Sequence, residues 1–241
     1  MKTIIKNDPL PEAMSTIHDV IILDKSGSMS SIAKQAVEGV NETLESIRQT
    51  AKRNKRQKHL VTFAAFCGCG LTVLYDAVPI AEVRNLSGRD YRPCCMTPLY
   101  DAIGTTVTRL SRLIGDDATA LASVTIITDG YENASKEFSG SDVKHLIEQH
   151  KEKGWMFAYI GAEHDVESVA FSLAIDNTLR FQRNAGSTRQ MFNAFAKASS
   201  SWADDVDNIV ECCCECCAPP KEMQARLSRR SSSFFKKNKK E

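Results

Sequence analysis

The sequence predicts an α/β fold: a Rossmann-like three-layer sandwich with a central, mostly parallel sheet, one antiparallel edge strand and helices on both faces. Three observations carry the prediction. Between residues 17 and 202 short β-branched runs alternate with amphipathic runs of helical period. Two of the apolar runs end in an aspartate, Asp24 and Asp129. One pair of strand-like runs is separated by only a few residues containing glycine, which suits antiparallel neighbours. Strands alternating with helices imply a sheet covered on both sides.

The elements follow in order. Residues 18–23 (HDVIIL) are short and β-branched and form the first strand. Ala33, Ala36, Val37, Val40, Leu44 and Ile47 recur at helical spacing up to the basic stretch 52–58. Residues 60–66 and 71–75 are the antiparallel pair. Pro98 suits a first helical turn, and Leu99, Ile103, Val107, Leu110 and Ile114 form the stripe behind it. Residues 123–128 read as a buried strand ending at Asp129, followed by a helix marked by Val143, Leu146, Ile147 and His150. A strand at 155–160, a helix at 166–173 and a short strand at 179–181 come next. Ser187 with Gln190 has the form of a capping box opening a final helix. The expected organisation is an N-terminal extension (1–16), the α/β domain (17–203) and a Cys-rich, basic, flexible tail (204–241) that the domain can lose without unfolding.

Composition narrows the class. With 241 residues, 42% hydrophobic, 25% charged and 7% aromatic, the chain is not a wholly disordered, collagen-like or coiled-coil sequence. Residues 60–75 are uncharged but shorter than the roughly 20 residues of a membrane-spanning helix, and Gly68 and Gly70 interrupt them. Residues 1–12 reach Asn7, Asp8 and Pro9 before an apolar run develops, so no secretory signal is expected and the expected location is cytoplasmic. The nine cysteines, in the groups Cys67/Cys69, Cys94/Cys95 and Cys212/Cys213/Cys214/Cys216/Cys217, are then expected as reduced thiols. Residues 221–241 hold eight Lys or Arg against two acids, net +6 in a chain of net +1, which leaves the preceding 220 residues at −5.

In a parallel sheet, ligands bind at the carboxyl ends of the strands near a switch in strand order, where Asp24 and Asp129 fall. After the first strand the chain reads Asp24-Lys25-Ser26-Gly27-Ser28, a D-x-S-x-S pattern between strand and helix. Small hydroxyls two residues apart behind a carboxylate can aim their oxygens at one point, and all-oxygen ligation is what a hard cation such as Mg²⁺ requires. Thr97 and Asp129 offer two further oxygens on the same edge. The competing reading is that Ser26 and Ser28 cap the helix and Asp24 closes a turn.

The phrases LDKSGSMS, TPLYDAI and TIITDGYENAS, in this order and spacing, resemble the von Willebrand factor A (VWA) family and its metal-ion-dependent adhesion site. The resemblance covers residues 17 to 202. It implies a VWA-like domain in which Ser26 and Ser28 ligate the metal through their hydroxyls, while Thr97, Asp24 and Asp129 act directly or through water. The metal implied is Mg²⁺, with Mn²⁺ or Ca²⁺ as alternatives. One departure stands out: many relatives have Gly-Gly or Gly-Asn before the threonine, whereas this chain has Cys95-Met96. Glycine allows backbone angles that these residues reach only with strain, so the loop is expected to be stiffer or to take another path.

A cation held mostly by neutral hydroxyls stays electron-poor and seeks an anionic oxygen from outside. The expected function is therefore a protein-binding module that captures a Glu or Asp of a partner protein, with no nucleic acid expected at the core. The alternative is a Mg²⁺-dependent phosphate-ester hydrolase with Asp24 as nucleophile. Position 26 is serine rather than a second acid, and no G-x-x-x-x-G-K phosphate loop appears, so a non-enzyme is expected. His164 and Asp165 read as a helix start rather than a general base. For the clustered cysteines at 212–217, soft Cu(I), acylation, intermolecular disulfides and an unliganded tail all stay open. The basic tail fits contact with an anionic surface or a solvated end.

Overall fold

The computed structural model describes residues 15–117, 119–162, 165–215 and 220–235. Six strands form one sheet: β1 (Ser15–Asp24), β2 (Gln57–Cys67), β3 (Gly70–Pro79), β4 (Ala120–Thr128), β5 (Met156–Ala162) and β6 (Asn177–Phe181). Their order is β3-β2-β1-β4-β5-β6, with β2 and β3 antiparallel and every other pair parallel, as the sequence predicts. On β1 the period of two sends Ile17, Ile21 and Leu23 to one face and Val20 and Ile22 to the other.

The first face is covered by α1 (Ala33–Arg53), α5 (Ala185–Glu215) and α6 (Pro220–Ser231). The second is covered by α2 (Leu99–Ile114), α3 (Gly140–Glu152) and α4 (Val166–Ser172). The α1 stripe of Ala36, Val40, Leu44 and Ile47 is buried against the sheet and α5. There Gly39 faces the Phe192 ring so closely that a Cβ would stand 2.1 Å from it, so only glycine fits. Pro98 stands immediately before α2 rather than inside its first turn. Among the described residues no helix is long and apolar enough to cross a membrane.

Two expectations near the C-terminal region are corrected. The final helix starts at Ala185, and Asn184 supplies its cap, with Oδ1 accepting from Ser187 N–H at 2.9 Å. Ser187 sits inside the first turn, and its hydroxyl accepts from Gln182 N–H, so the expected Ser187/Gln190 box does not start the helix. Nor is there a boundary at 203. Helix α5 runs straight through it, and acids expected in a flexible tail pair with the basic stretch at the end of α1 and just beyond: Asp204 with Arg53 at 2.8 Å, and Asp207 and Glu211 with Arg56.

Helix α6 then returns to the domain. Leu227 and Phe234 are buried, at 4% and 1% exposure. Ser231 Oγ accepts from Trp202 Nε1 and donates to the Gly154 carbonyl at 2.9 Å, while Asn177 bonds the Ser231 carbonyl and Phe234 N–H. Apolar side chains spaced along a helix will pack wherever a sheet face is left uncovered, and the charge of the segment does not prevent it. Of the tail calls, Cys216, Cys217 and residues 236–241 lie outside the described residues.

Candidate metal centre

The strand order turns at β1: the chain leaves it for β2 on one side, and β4 pairs on the other. The carboxyl ends of β1 and β4 therefore lie side by side, and the loops that follow them meet there. This places four of the predicted oxygens in one hydrogen-bonded chain. Asp24 Oδ1 accepts from Ser26 N–H at 2.6 Å, Ser26 Oγ lies 3.1 Å from Ser28 Oγ, and Ser28 Oγ donates to Asp129 Oδ1 at 2.6 Å. Ser26 makes no side-chain cap to the following helical turn Gly27–Ile32, and the Ser28 hydroxyl, inside that turn, donates to Asp129, so the capping reading of the motif is not what the hydroxyls do. Thr97, 4% exposed, is brought to the same edge, its hydroxyl 3.6 Å from where a Cβ on Gly130 would sit.

The electrostatics of this edge are unbalanced. Asp24 is fully buried and Asp129 nearly so. Burial pushes the Asp24 carboxyl above its ordinary value, bonds from Thr128 and Ser26 pull it down, and the charge of Asp129 adds to the rise. Asp129 Oδ2 is buried with no hydrogen-bond partner. The Arg183 guanidinium stands beside it, with Nη1 at 3.5 Å, too long for a good hydrogen bond.

These residues fit a hard divalent cation. The donor set is all oxygen, and a six-coordinate Mg²⁺ with ligands near 2.1 Å spaces adjacent ligand oxygens by roughly 3.0 Å. The separations of 2.6 and 3.1 Å along Ser26, Ser28 and Asp129 are close to that spacing. Asp129 Oδ2 is an acceptor left over for it.

No protein-family model and no curated protein matches the sequence. Solved structures match by shape. Proximal thread matrix protein 1 from the mussel byssus superposes with a TM-score of 0.53 at 11% identity, covering 80% of this chain and 47% of that one. The vWF domain of the type V pili tip protein Mfa5 from Porphyromonas gingivalis gives 0.53 at 8% identity, covering 75% of this chain and 95% of that domain. The pilus adhesin SpaC from Lactobacillus rhamnosus GG gives 0.55 at 14% identity, covering 77% of this chain and 30% of the adhesin. The fold is VWA-like. This chain spans about half the length of the byssus protein and less of SpaC.

Within this VWA-like fold, several residues that hold the site in place were not singled out from the sequence. Thr128 donates to Asp24 Oδ2 at 2.6 Å, and the Tyr91 hydroxyl donates to the Asp24 carbonyl. Asn133 clamps Thr97 from both sides: its Oδ1 accepts from Thr97 N–H at 2.9 Å and its N–H donates to the Thr97 carbonyl at 3.2 Å. Glu132 accepts from Tyr100 N–H at the start of α2, and Asp101 accepts from the N–H groups of Lys136, Glu137 and Phe138. Burial opposes ionisation of Glu132 and Asp101, but bonds from Ser135, Tyr100 and Ala134 to Glu132, and those from Lys136, Phe138 and Glu137 to Asp101, hold both below their ordinary values. Asp165 caps α4 by accepting from Ser168 N–H, as the sequence predicts, while His164 lies outside the described residues.

The departure before Thr97 puts a non-glycine residue in a glycine-type conformation. Cys95 has φ of +61°, a left-handed conformation that costs a cysteine on the order of 1 kcal/mol. The loop takes it while Cys95 accepts from Gly27 N–H at 3.0 Å and Cys94 N–H donates to the Lys25 carbonyl at 2.8 Å.

Proposed function

We propose that this chain is a metal-dependent protein-binding module, in which Asp24, Ser26, Ser28, Thr97 and Asp129 hold a Mg²⁺ that captures an acidic residue of a partner protein. The observation that carries the reading is the hydrogen-bonded chain from Asp24 through Ser26 and Ser28 to Asp129 Oδ1, with the other Asp129 oxygen, Oδ2, buried without a hydrogen-bond donor. When bound, the cation supplies an electron-poor centre that attracts one more carboxylate from outside. The chain's own residues do the rest. Thr128 and the Ser26 backbone orient Asp24, Ser28 orients Asp129, and Asn133 fixes the backbone of Thr97.

The surroundings suit a protein partner. Met96 and Tyr131, the neighbours of Thr97 and Gly130 in sequence, are exposed at 59% and 57%, giving the rim apolar contact area. Mfa5 is a pili tip protein and SpaC a pilus adhesin, and these two structural neighbours support the binding reading. We read the chain as a binding protein rather than an enzyme, because the described residues around the carboxylates serve to orient them.

Calorimetric titration of chelator-stripped protein with Mg²⁺ tests the proposal. One site with a matching rise in melting temperature is expected. Absence of heat and of stabilisation with Mg²⁺, Mn²⁺ and Ca²⁺ would remove the metal from the reading. Turnover of a generic phosphate ester that disappears in Asp24→Ala would replace binding with hydrolysis.

A further inference from the structure

Beside the oxygen site four thiols gather where the β2–β3 turn meets the loop before Thr97. Cys67 ends β2 and Cys69 lies in the turn, while Cys94 and Cys95 come from the loop. Their sulfurs are 3.4 Å apart for Cys67 and Cys94, 3.8 Å for Cys69 and Cys94, and 3.0 Å for Cys69 and Cys95. Cys67, Cys69 and Cys94 lie mutually within 4.8 Å. We propose that Cys67, Cys69, Cys94 and Cys95 form a tetrathiolate site for a soft, tetrahedral divalent cation of the Zn²⁺ class.

Geometry favours one central ion over two disulfides. A tetrahedral Zn²⁺ with four sulfurs at about 2.3 Å spaces those sulfurs by roughly 3.8 Å, and two of the three separations lie at 3.4 and 3.8 Å. Each separation is far beyond the ~2.05 Å of a disulfide. The contacts are also shared rather than paired: Cys94 touches both Cys67 and Cys69, and Cys69 touches both Cys94 and Cys95. Cys67, Cys69 and Cys94 thus surround one point, and Cys95 reaches it from beside Cys69; two exclusive couples would not share contacts in this way.

The backbone supports the same reading. In an extended segment adjacent side chains point to opposite faces, so neighbouring cysteines cannot ordinarily reach one ion. The left-handed conformation of Cys95 breaks that alternation and lets both side chains of Cys94-Cys95 turn toward the hairpin. Strain held at one residue calls for something that it makes possible. The partner loops are already stitched together, with Gly68 N–H donating to the Met96 carbonyl at 2.8 Å and Lys25 N–H to the Phe66 carbonyl at 2.7 Å. Binding would convert four thiols to thiolates, with their protons released to solvent. It would also tie the backbone two residues before Thr97 to the β2–β3 turn, so that one ion stiffens the loop that carries a ligand for the other. The proposal stands whether or not the oxygen site takes Mg²⁺.

The test uses the full chain, reduced and stripped of metal, titrated with Co²⁺ and then Zn²⁺. Tetrahedral thiolate Co²⁺ gives intense red-region bands and near-ultraviolet charge-transfer absorption, whereas Co²⁺ on oxygen ligands gives only weak colour. One equivalent of the tetrahedral spectrum, displaced by Zn²⁺, is expected. Cys69→Ser, at an exposed turn position, should weaken Zn²⁺ binding by more than the ~10–100-fold that an outer partner is worth, while a variant with serine at 212, 213, 214, 216 and 217 keeps it. Absence of the tetrahedral spectrum in the reduced wild type would overturn the proposal, as would its persistence in Cys69→Ser or its loss in the five-serine variant. Prompt alkylation followed by peptide mapping that finds Cys67–Cys94 or Cys69–Cys95 already joined would do so too.

Discussion

The two edges of the sheet are built on opposite electrostatic rules. At the amino ends of the strands, charges are balanced: Arg56 meets Asp207 and Glu211, Arg53 meets Asp204, and Arg230 meets Asp205 at 2.6 Å. Asn177 and Ser231 there complete a closed set of hydrogen bonds between β6, α5 and α6. At the carboxyl ends, two buried aspartates share a chain of hydroxyls, one of their oxygens has no donor, and the nearest guanidinium is held at 3.5 Å. A balanced edge needs nothing from outside. An edge where two buried carboxylates face one guanidinium at 3.5 Å would be stabilised by a further cation.

The largest test of this contrast removes part of the balanced edge. Phe234→Ala should cost about 3–5 kcal/mol, read as a drop in the denaturation midpoint, and truncation after residue 203 should leave no cooperative transition. A truncated chain that still melts cooperatively would mean that the clasp is decoration and that the sequence-based boundary was right.

The unbalanced edge responds to charge removal in the other direction. Mg²⁺ at 100 times its dissociation constant should stabilise the wild type by about 2.7 kcal/mol, and Asp24→Asn should lose that gain. In chelator, however, Asp24→Asn should melt above the wild type. The folded Asp24 carboxyl is held above its ordinary value, so the metal-free protein loses stability as pH rises through that raised value, and the asparagine variant does not. A variant that melts lower in chelator at neutral pH would show that the buried charge is compensated after all.

The smallest effect belongs to Arg183. Its guanidinium opposes a second cation at Asp129, so Arg183→Ala should tighten Mg²⁺ binding by a few-fold, on the order of 1 kcal/mol or less for a pair at effective high dielectric. Weaker binding in that variant would instead make Arg183 a support for the carboxylate.

Much of the fold was legible because periodicity survives tertiary context when an element is buried on one side. α1, α2 and β4 carry their faces in the spacing of their apolar residues, and the aspartates that end β1 and β4 mark the edge where loops meet. D-x-S-x-S was legible because a local motif needs only a few residues. The roles of Asn133, Thr128 and Arg183 were not, because each pairs with a residue 36, 104 or 54 positions away; Thr128 and Asn133 lie inside the TIITDGYENAS phrase, but the phrase does not say which partner each holds. The C-terminal helices were misjudged for a different reason. Their apolar residues are sparse among charges, and only the uncovered face of the sheet explains why Leu227 and Phe234 are buried.

The contact of Gly39 with Phe192 also sets a schedule. Helix α1 leaves the ribosome before the aromatic side chain that seals its glycine, which comes some 150 positions later in the chain. At ~5–20 residues per second, roughly 8–30 s pass on the ribosome between the two. For that interval the stripe of Val40, Leu44 and Ile47 lacks the lid it has in the finished domain, so the nascent chain offers a chaperone a transient apolar surface that the folded protein never displays.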